Sequence, residues 1–208
     1  FHFCYIAAYE MQNLKAFGWR VSSDGFHGYN KRGCFARVMD DANYCIGTLE
    51  HNTYWGLFNG AVFQLGWDQN TTVKPWGCTV KKCNVVRGEW NTDRGPRKNN
   101  GVFSCAFMNT KGVCRDKQFI DIRVQGSIFR FIGYSAKTHT GDFKHFLFKD
   151  IWFENPLSHA GDAVNYLECG GSISHFIFEN VVIGGKKIRS FEDLKPIELQ
   201  NVEDVSFK

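Results

Sequence analysis

Long apolar runs are missing from this chain. None reaches the roughly 18 residues that a membrane-spanning helix needs, so no helical span is expected. Proline is scarce, with 4 residues. Charge of one sign is scarce too, since 25 Lys plus Arg against 21 Asp plus Glu leaves +4. No block of like charge and no basic stripe with interleaved aromatics occurs, and this argues against a nucleic-acid partner. There is no Gly-x-Ser-x-Gly elbow, no Gly-rich nucleotide loop and no His-Glu-x-x-His. The seven histidines are scattered and Cys-x-x-Cys is absent, so neither a metal set nor any other cofactor is expected.

Aromatic residues and glycine are what the chain has in excess. It carries 20 Phe and 21 Gly among 208 residues, a bias towards strands joined by turns. Eight cysteines, at 4, 34, 45, 78, 83, 105, 114 and 169, form an even set. Such a count suits two to four disulfides in an oxidising compartment, and predicts a secreted or extracellular protein. The alternative is a set of free, buried thiols. Asn70-Thr71-Thr72 is a glycosylation acceptor of the kind used in secreted chains. The first residues, Phe1-His2-Phe3-Cys4, carry no start signal, and Asp204 to Lys208 reads as part of a strand. A piece of a longer chain is therefore expected.

A strand phrase recurs along the sequence. Phe119-Ile120-Asp121-Ile122-Arg123-Val124, Phe146 to Phe153 and Phe176 to Ile183 all alternate apolar and polar residues, with an Asp or Asn inside the phrase. Earlier versions run from Cys34 to Met39 and from Cys78 to Val86, and a last one from Val202 to Phe207. Ile122, Ile151 and Val181 lie 29 and 30 residues apart. Repetition at that period predicts an all-β solenoid, a right-handed parallel β-helix forming one domain over residues 1–208. A β-sandwich would explain the alternation but not the repeat.

Asp24, Asp40 and Asp41 stand outside these phrases. Asp24 follows Ser22-Ser23 and precedes Gly25, while Asp40-Asp41 follows the strand phrase Phe35 to Met39. The 16 to 17 residues between them match one short coil, which would put them on neighbouring levels of one face. Clustered carboxylates push one another's proton affinities apart, so one stays protonated as a general acid while another activates water. This is the chemistry of glycoside hydrolysis. Both members of the pair reach one groove only if the strand ends or kinks between Asp40 and Asp41, because successive strand residues face opposite ways. Solvent carboxylates at corners, or a calcium site, are the other readings.

The blocks Ser22-Ser23-Asp24-Gly25 and Asp40-Asp41-Ala42 resemble the active-site blocks of β-helical polysaccharide hydrolases. The polygalacturonase outline is similar, but its Gly-His-Gly and Arg-Ile-Lys blocks are absent. Phe63-Gln64-Leu65-Gly66-Trp67, Cys83-Asn84-Val85-Val86 and the region Val182 to Asp193 resemble glycoside hydrolase family 49, the dextranases and isopullulanase. That resemblance implies an inverting hydrolase of a dextran- or pullulan-like α-glucan. It implies Asp40 as the acid, Asp24 and Asp41 on the water side, and Gln64 in the substrate site. It also implies a missing N-terminal sandwich. The gap from Asp24 to Asp40 is shorter here than in that family.

A polysaccharide partner needs flat rings to stack on, and Trp55, Trp67 and Trp90 lie in turn-like sequence suited to that. Asp68, Arg87, Arg130 and Tyr134 are placed with them as candidate sugar-binding residues. Two other functions fit the same residues. A non-catalytic carbohydrate-binding or surface module needs the aromatics but not the three carboxylates. A lyase on an anionic glycan would rely on Arg87, Arg94, Arg97, Lys98 and Arg130.

Overall fold

The computed structural model describes residues 10–20, 23–58, 60–65, 76–90, 101–105, 113–127, 130–136, 141–155 and 164–208. The alternating phrases are strands, and almost every pairing is parallel. A first ladder stacks β1 (Glu10–Gln12), β3 (Asn30–Arg32), β5 (Gly47–Glu50), β8 (Trp76–Trp90), β10 (Cys114–Ser127), β12 (Phe143–Asn155) and β13 (Asn165–Ile183). A second joins β2 (Lys15–Phe17), β4 (Phe35–Arg37) and β6 (Thr53–Phe58) to β8. A third joins β7 (Ala61–Gln64), β9 (Gly101–Cys105) and β11 (Ile132–Ala136) to β13. β15 (Ile197–Val202) and β16 (Val205–Phe207) lie parallel on β13, and β14 (Lys186–Lys187) pairs with it antiparallel.

The register follows the sequence repeat. Ile122 pairs with Ile151 and Ile151 with Val181, the offsets of 29 and 30 residues read above. The expected right-handed parallel β-helix is nevertheless corrected. The strands merge into one 16-stranded sheet, whose hydrogen-bonded path runs from β1 through β13 to β7 without closing. The physical reason lies in the polar residues inside the phrases. Lys82, Asp121, Asp150 and Asn180 take left-handed backbone with φ of 51–52°. They turn the chain without ending the strand, and β8, β10, β12 and β13 run on for 13 to 19 residues. Asp and Asn tolerate this region better than most side chains, whereas the short coils of a closed tube would need true breaks.

Phenylalanine fills the core because parallel, in-register strands place like residues directly above one another. Phe119, Phe148, Phe178 and Phe207 form one such stack, with ring centroids 5.2, 4.9 and 5.2 Å apart and planes within 14°. Each such pair contributes about 0.5–1.5 kcal/mol beyond its burial. Asn52 is buried at a turn of the chain. Its Oδ1 accepts from the Cys34 N–H at 2.8 Å, and its Nδ2 donates to the Lys31 carbonyl at 3.0 Å. Among the described residues, no helix is long and apolar enough to cross a membrane.

The expected disulfides are also corrected. Among the described residues, Cys34, Cys45, Cys78, Cys83, Cys114 and Cys169 are buried thiols outside any disulfide, while Cys4 and the side chain of Cys105 lie outside the described residues. Burial pushes the Cys83 thiol up to about 12, and those of Cys114 and Cys169 up to about 11. At pH 8 their thiolate fractions fall by about 10²–10³-fold relative to the unfolded chain. Iodoacetamide should therefore label these three at least about 100-fold more slowly in native than in denatured protein, as read by peptide mass spectrometry. Rapid native labelling would contradict their placement.

Candidate active site

β2 and β4 end at Phe17 and Arg37, and the segments that follow them run side by side. Gly18 N–H donates to the Arg37 carbonyl at 2.8 Å, and Gly25 N–H to the Asp41 carbonyl at 2.8 Å. Phe26 then bridges Asn43. Asp24 and Asp41 thus occupy neighbouring levels, offset by the one coil length expected. The close approach requires the glycine after Asp24, because a Cβ at Gly25 would stand 2.0 Å from the Ala42 carbonyl oxygen. β4 ends earlier than expected, at Arg37, and Asp41 N–H turns back to donate to Asp40 Oδ1 at 3.0 Å. Both carboxylates can therefore serve one site.

Their surroundings differ. Asp41 is 1% exposed and its carboxylate is met by three donors. Oδ1 accepts from Ala61 N–H at 2.7 Å and Gln64 Nε2 at 3.1 Å, while Oδ2 accepts from the Tyr44 hydroxyl at 3.2 Å. A buried carboxylate is tolerated only when so satisfied. Asp40 lies at the boundary, 9% exposed. Asp24 is more open, its side chain 21% exposed, and lies 3.1 Å from His27 Nε2. The His27 ring packs on Tyr44 with centroids 4.1 Å apart. Burial and then the negative charges of Asp41, Asp24 and Asp40 hold the Tyr44 hydroxyl well above the usual phenol range, so it stays a proton donor. All three aspartates therefore act on one phenol.

Tyr44 is the member that sequence reasoning missed. The signal for Tyr44 was its position four residues after Asp40, beside the bridge that pairs it with Gln64. Gln64, expected in the substrate site, donates through Nε2 to Asp41 Oδ1. Trp55, on β6, is 42% exposed. The Arg37 guanidinium lies 4.0 Å from the Trp19 ring centroid and 5.6 Å from that of Trp55. Arg87 occupies a left-handed position in β8, with φ of 58°.

Arg130 and Tyr134 do not join this surface. Arg130 is 1% exposed, donates through Nε to the Val164 carbonyl and lies 4.8 Å from the Tyr166 ring. Tyr134 is fully buried and stacks on Phe143 with centroids 6.0 Å apart. Tyr134 falls on the inward positions of β11, so the expectation that it lines an outer face is corrected; Arg130 precedes that strand and is also buried. Trp67, Asp68 and the Asn70 acceptor lie outside the described residues, as does the side chain of Trp90. Among the described residues, no group of three or more His, Cys, Asp or Glu has the arrangement of a metal site. No family model, curated protein or solved structure matches this chain.

Proposed function

We propose that this protein hydrolyses the glycosidic bonds of a polysaccharide with inversion at the anomeric carbon. The observation that carries the reading is one cluster of three carboxylates: Asp41 accepts from Tyr44, Asp24 meets the His27 ring that packs on Tyr44, and Asp40 and Asp41 both face Gly60, with Asp24 the most open. Asp40 protonates the leaving oxygen. Asp24, held by His27, takes the proton of the attacking water. Asp41, fixed by its three donors, supplies negative charge from behind and orients Tyr44. An α-glucan of the dextran or pullulan type is the substrate that the sequence resemblance favours. A polymer of that size places the enzyme outside the cell.

The test is proton NMR of a fresh digest of dextran and of pullulan. Inversion predicts that the β-anomer of the new reducing end appears first. First appearance of the α-anomer would exclude the water-activating role and leave one carboxylate as a nucleophile. One feature favours a second reading, a non-catalytic glycan-binding module. The Asp41 carboxylate is engaged by donors on both oxygens and so is not aimed at water. Glycan binding without turnover across a panel of neutral and anionic polymers would establish that module.

A further inference from the structure

Most of the exposed aromatic residues lie together; Tyr29, 43% exposed and next to β3 of the first ladder, stands apart from them. Phe17, Trp19, Trp55, Val86 and Trp152, with exposures of 36 to 67%, all lie on or beside the second ladder and its continuation through β8, β10 and β12. Two outward columns run across these strands. One pairs Phe35 with Thr53, Thr53 with Asn84, Asn84 with Arg123 and Arg123 with Trp152. The other pairs Phe17 with Arg37, and then Trp55 with Val86 and Val86 with Gln125. At the far end, Arg123, Gln125 and Trp152 line a shallow cavity of about 430 Å³. The first ladder's outer face is different in kind. It carries ion pairs between successive strands, Lys81 to Glu50 at 3.3 Å and Lys149 to Glu179 at 2.6 Å.

We propose that the second-ladder face is a rail for an extended polysaccharide chain of at least about five sugar units, leading out of the acidic site. This rests on the hydrolase reading for the site but not for the rail itself. The near end adjoins the chemistry, because Trp19 lies five residues before Asp24 and Arg37 three before Asp40. From the level of β2 to that of β12 there are five strand steps, about 24 Å in all.

The chemistry of the face selects a sugar over other occupants. Rings alternate with guanidinium and amide groups, and a sugar ring offers an apolar C–H face to the first and in-plane hydroxyls to the second. A second copy docked face to face about a two-fold axis would set Lys15, Arg37 and Arg123 against the same cations. Charge repulsion disfavours that dimer. An enzyme that grips a long run of units beside the scissile bond cuts within chains, not at their ends.

The test uses the full chain carrying Asp40→Asn, which stops turnover and leaves the rail intact. Its affinity is measured by calorimetry for a trisaccharide and for chains of about ten units from dextran, pullulan and carboxymethylated dextran. The long chains should bind at least about tenfold more tightly than the trisaccharide. Adding Trp152→Ala should remove about that tenfold gain and leave trisaccharide binding unchanged. Trp19→Ala with Trp55→Ala should weaken both. Equal affinity for short and long chains, no effect of Trp152→Ala, or no binding of any of these polymers would overturn the rail. Length-dependent binding with no turnover by the unsubstituted protein would sink the hydrolase reading and leave the rail standing. Turnover with Trp152→Ala indistinguishable from the parent would do the reverse.

Discussion

Replacing Asp40 by asparagine is expected to lower kcat by about 10²–10⁴-fold on the polysaccharide that the protein turns over, with little change in affinity. The range corresponds to about 3–5.5 kcal/mol of lost transition-state stabilisation. Asparagine keeps the shape of the side chain, and its Oδ1 can still accept the Asp41 N–H that Asp40 Oδ1 accepts at 3.0 Å. What it cannot do is give a proton to the leaving oxygen. Asp40 is buried, 9% exposed, and because asparagine keeps its shape and the bond to the Asp41 N–H, the substitution should lower stability far less than it lowers turnover. Turnover and binding are measured on the same preparation. Undiminished turnover would reject Asp40 as the acid. Equal losses in turnover and thermal midpoint would show that the residue holds the fold.

Asp24→Asn should act at the other end of the reaction. It removes the base that activates water but leaves the acid in place. Substrates with a good leaving group, which need little help from the acid, should recover rate in Asp40→Asn and not in Asp24→Asn. Similar recovery in both variants would mean that the two aspartates share one role.

Much of this arrangement was legible in the residues. The recurrence of Ile122, Ile151 and Val181 is the observed register, and the spacing of Asp24 from the Asp pair is the observed one-level offset. Both come from periodicity, which parallel stacking converts directly into neighbourhood. The open sheet was not legible, because Asp121, Asp150 and Asn180 look like strand breaks in a sequence. Only their left-handed φ shows that pairing continues through them. Tyr44 was missed because a lone tyrosine between apolar residues reads as core. Its role depends on where the hydroxyl points. Tyr134 shows the opposite error. An alternating phrase does not say which of its two faces is inward, and here the tyrosine is the inward one. The even cysteine count suggested bridges, yet the six described thiols are buried in the core without a disulfide, Cys45 and Cys78 meeting there as hydrogen-bond partners.

Gly60→Ala should disable the site by crowding its carboxylates, without replacing any of them. A Cβ at Gly60 would lie 2.0 Å from Asp41 Oδ1, 2.7 Å from its Cγ and 2.9 Å from Asp40 Oδ1. Such contacts do not occur, so the carboxylates must move. Asp41 has nowhere to go without breaking its hydrogen bonds to Ala61, Gln64 or Tyr44. Overpacking together with an imperfectly satisfied buried carboxylate costs about 3 kcal/mol. For a chain of this size that is a fall in thermal midpoint of roughly 6–12 °C. Turnover should drop at least about 100-fold, since misplacement by about 1 Å has that effect on a reacting pair. The cause can be separated from general damage by a double-mutant cycle. In an Asp41→Ala background the two closest contacts are gone and only Asp40 Oδ1 at 2.9 Å remains, so adding Gly60→Ala should cost less stability than it does alone. The coupling should be about 2 kcal/mol, matching most of the single-variant loss. Additive losses would mean that the alanine clashes elsewhere, and that Gly60 is not what allows the two aspartates to sit together.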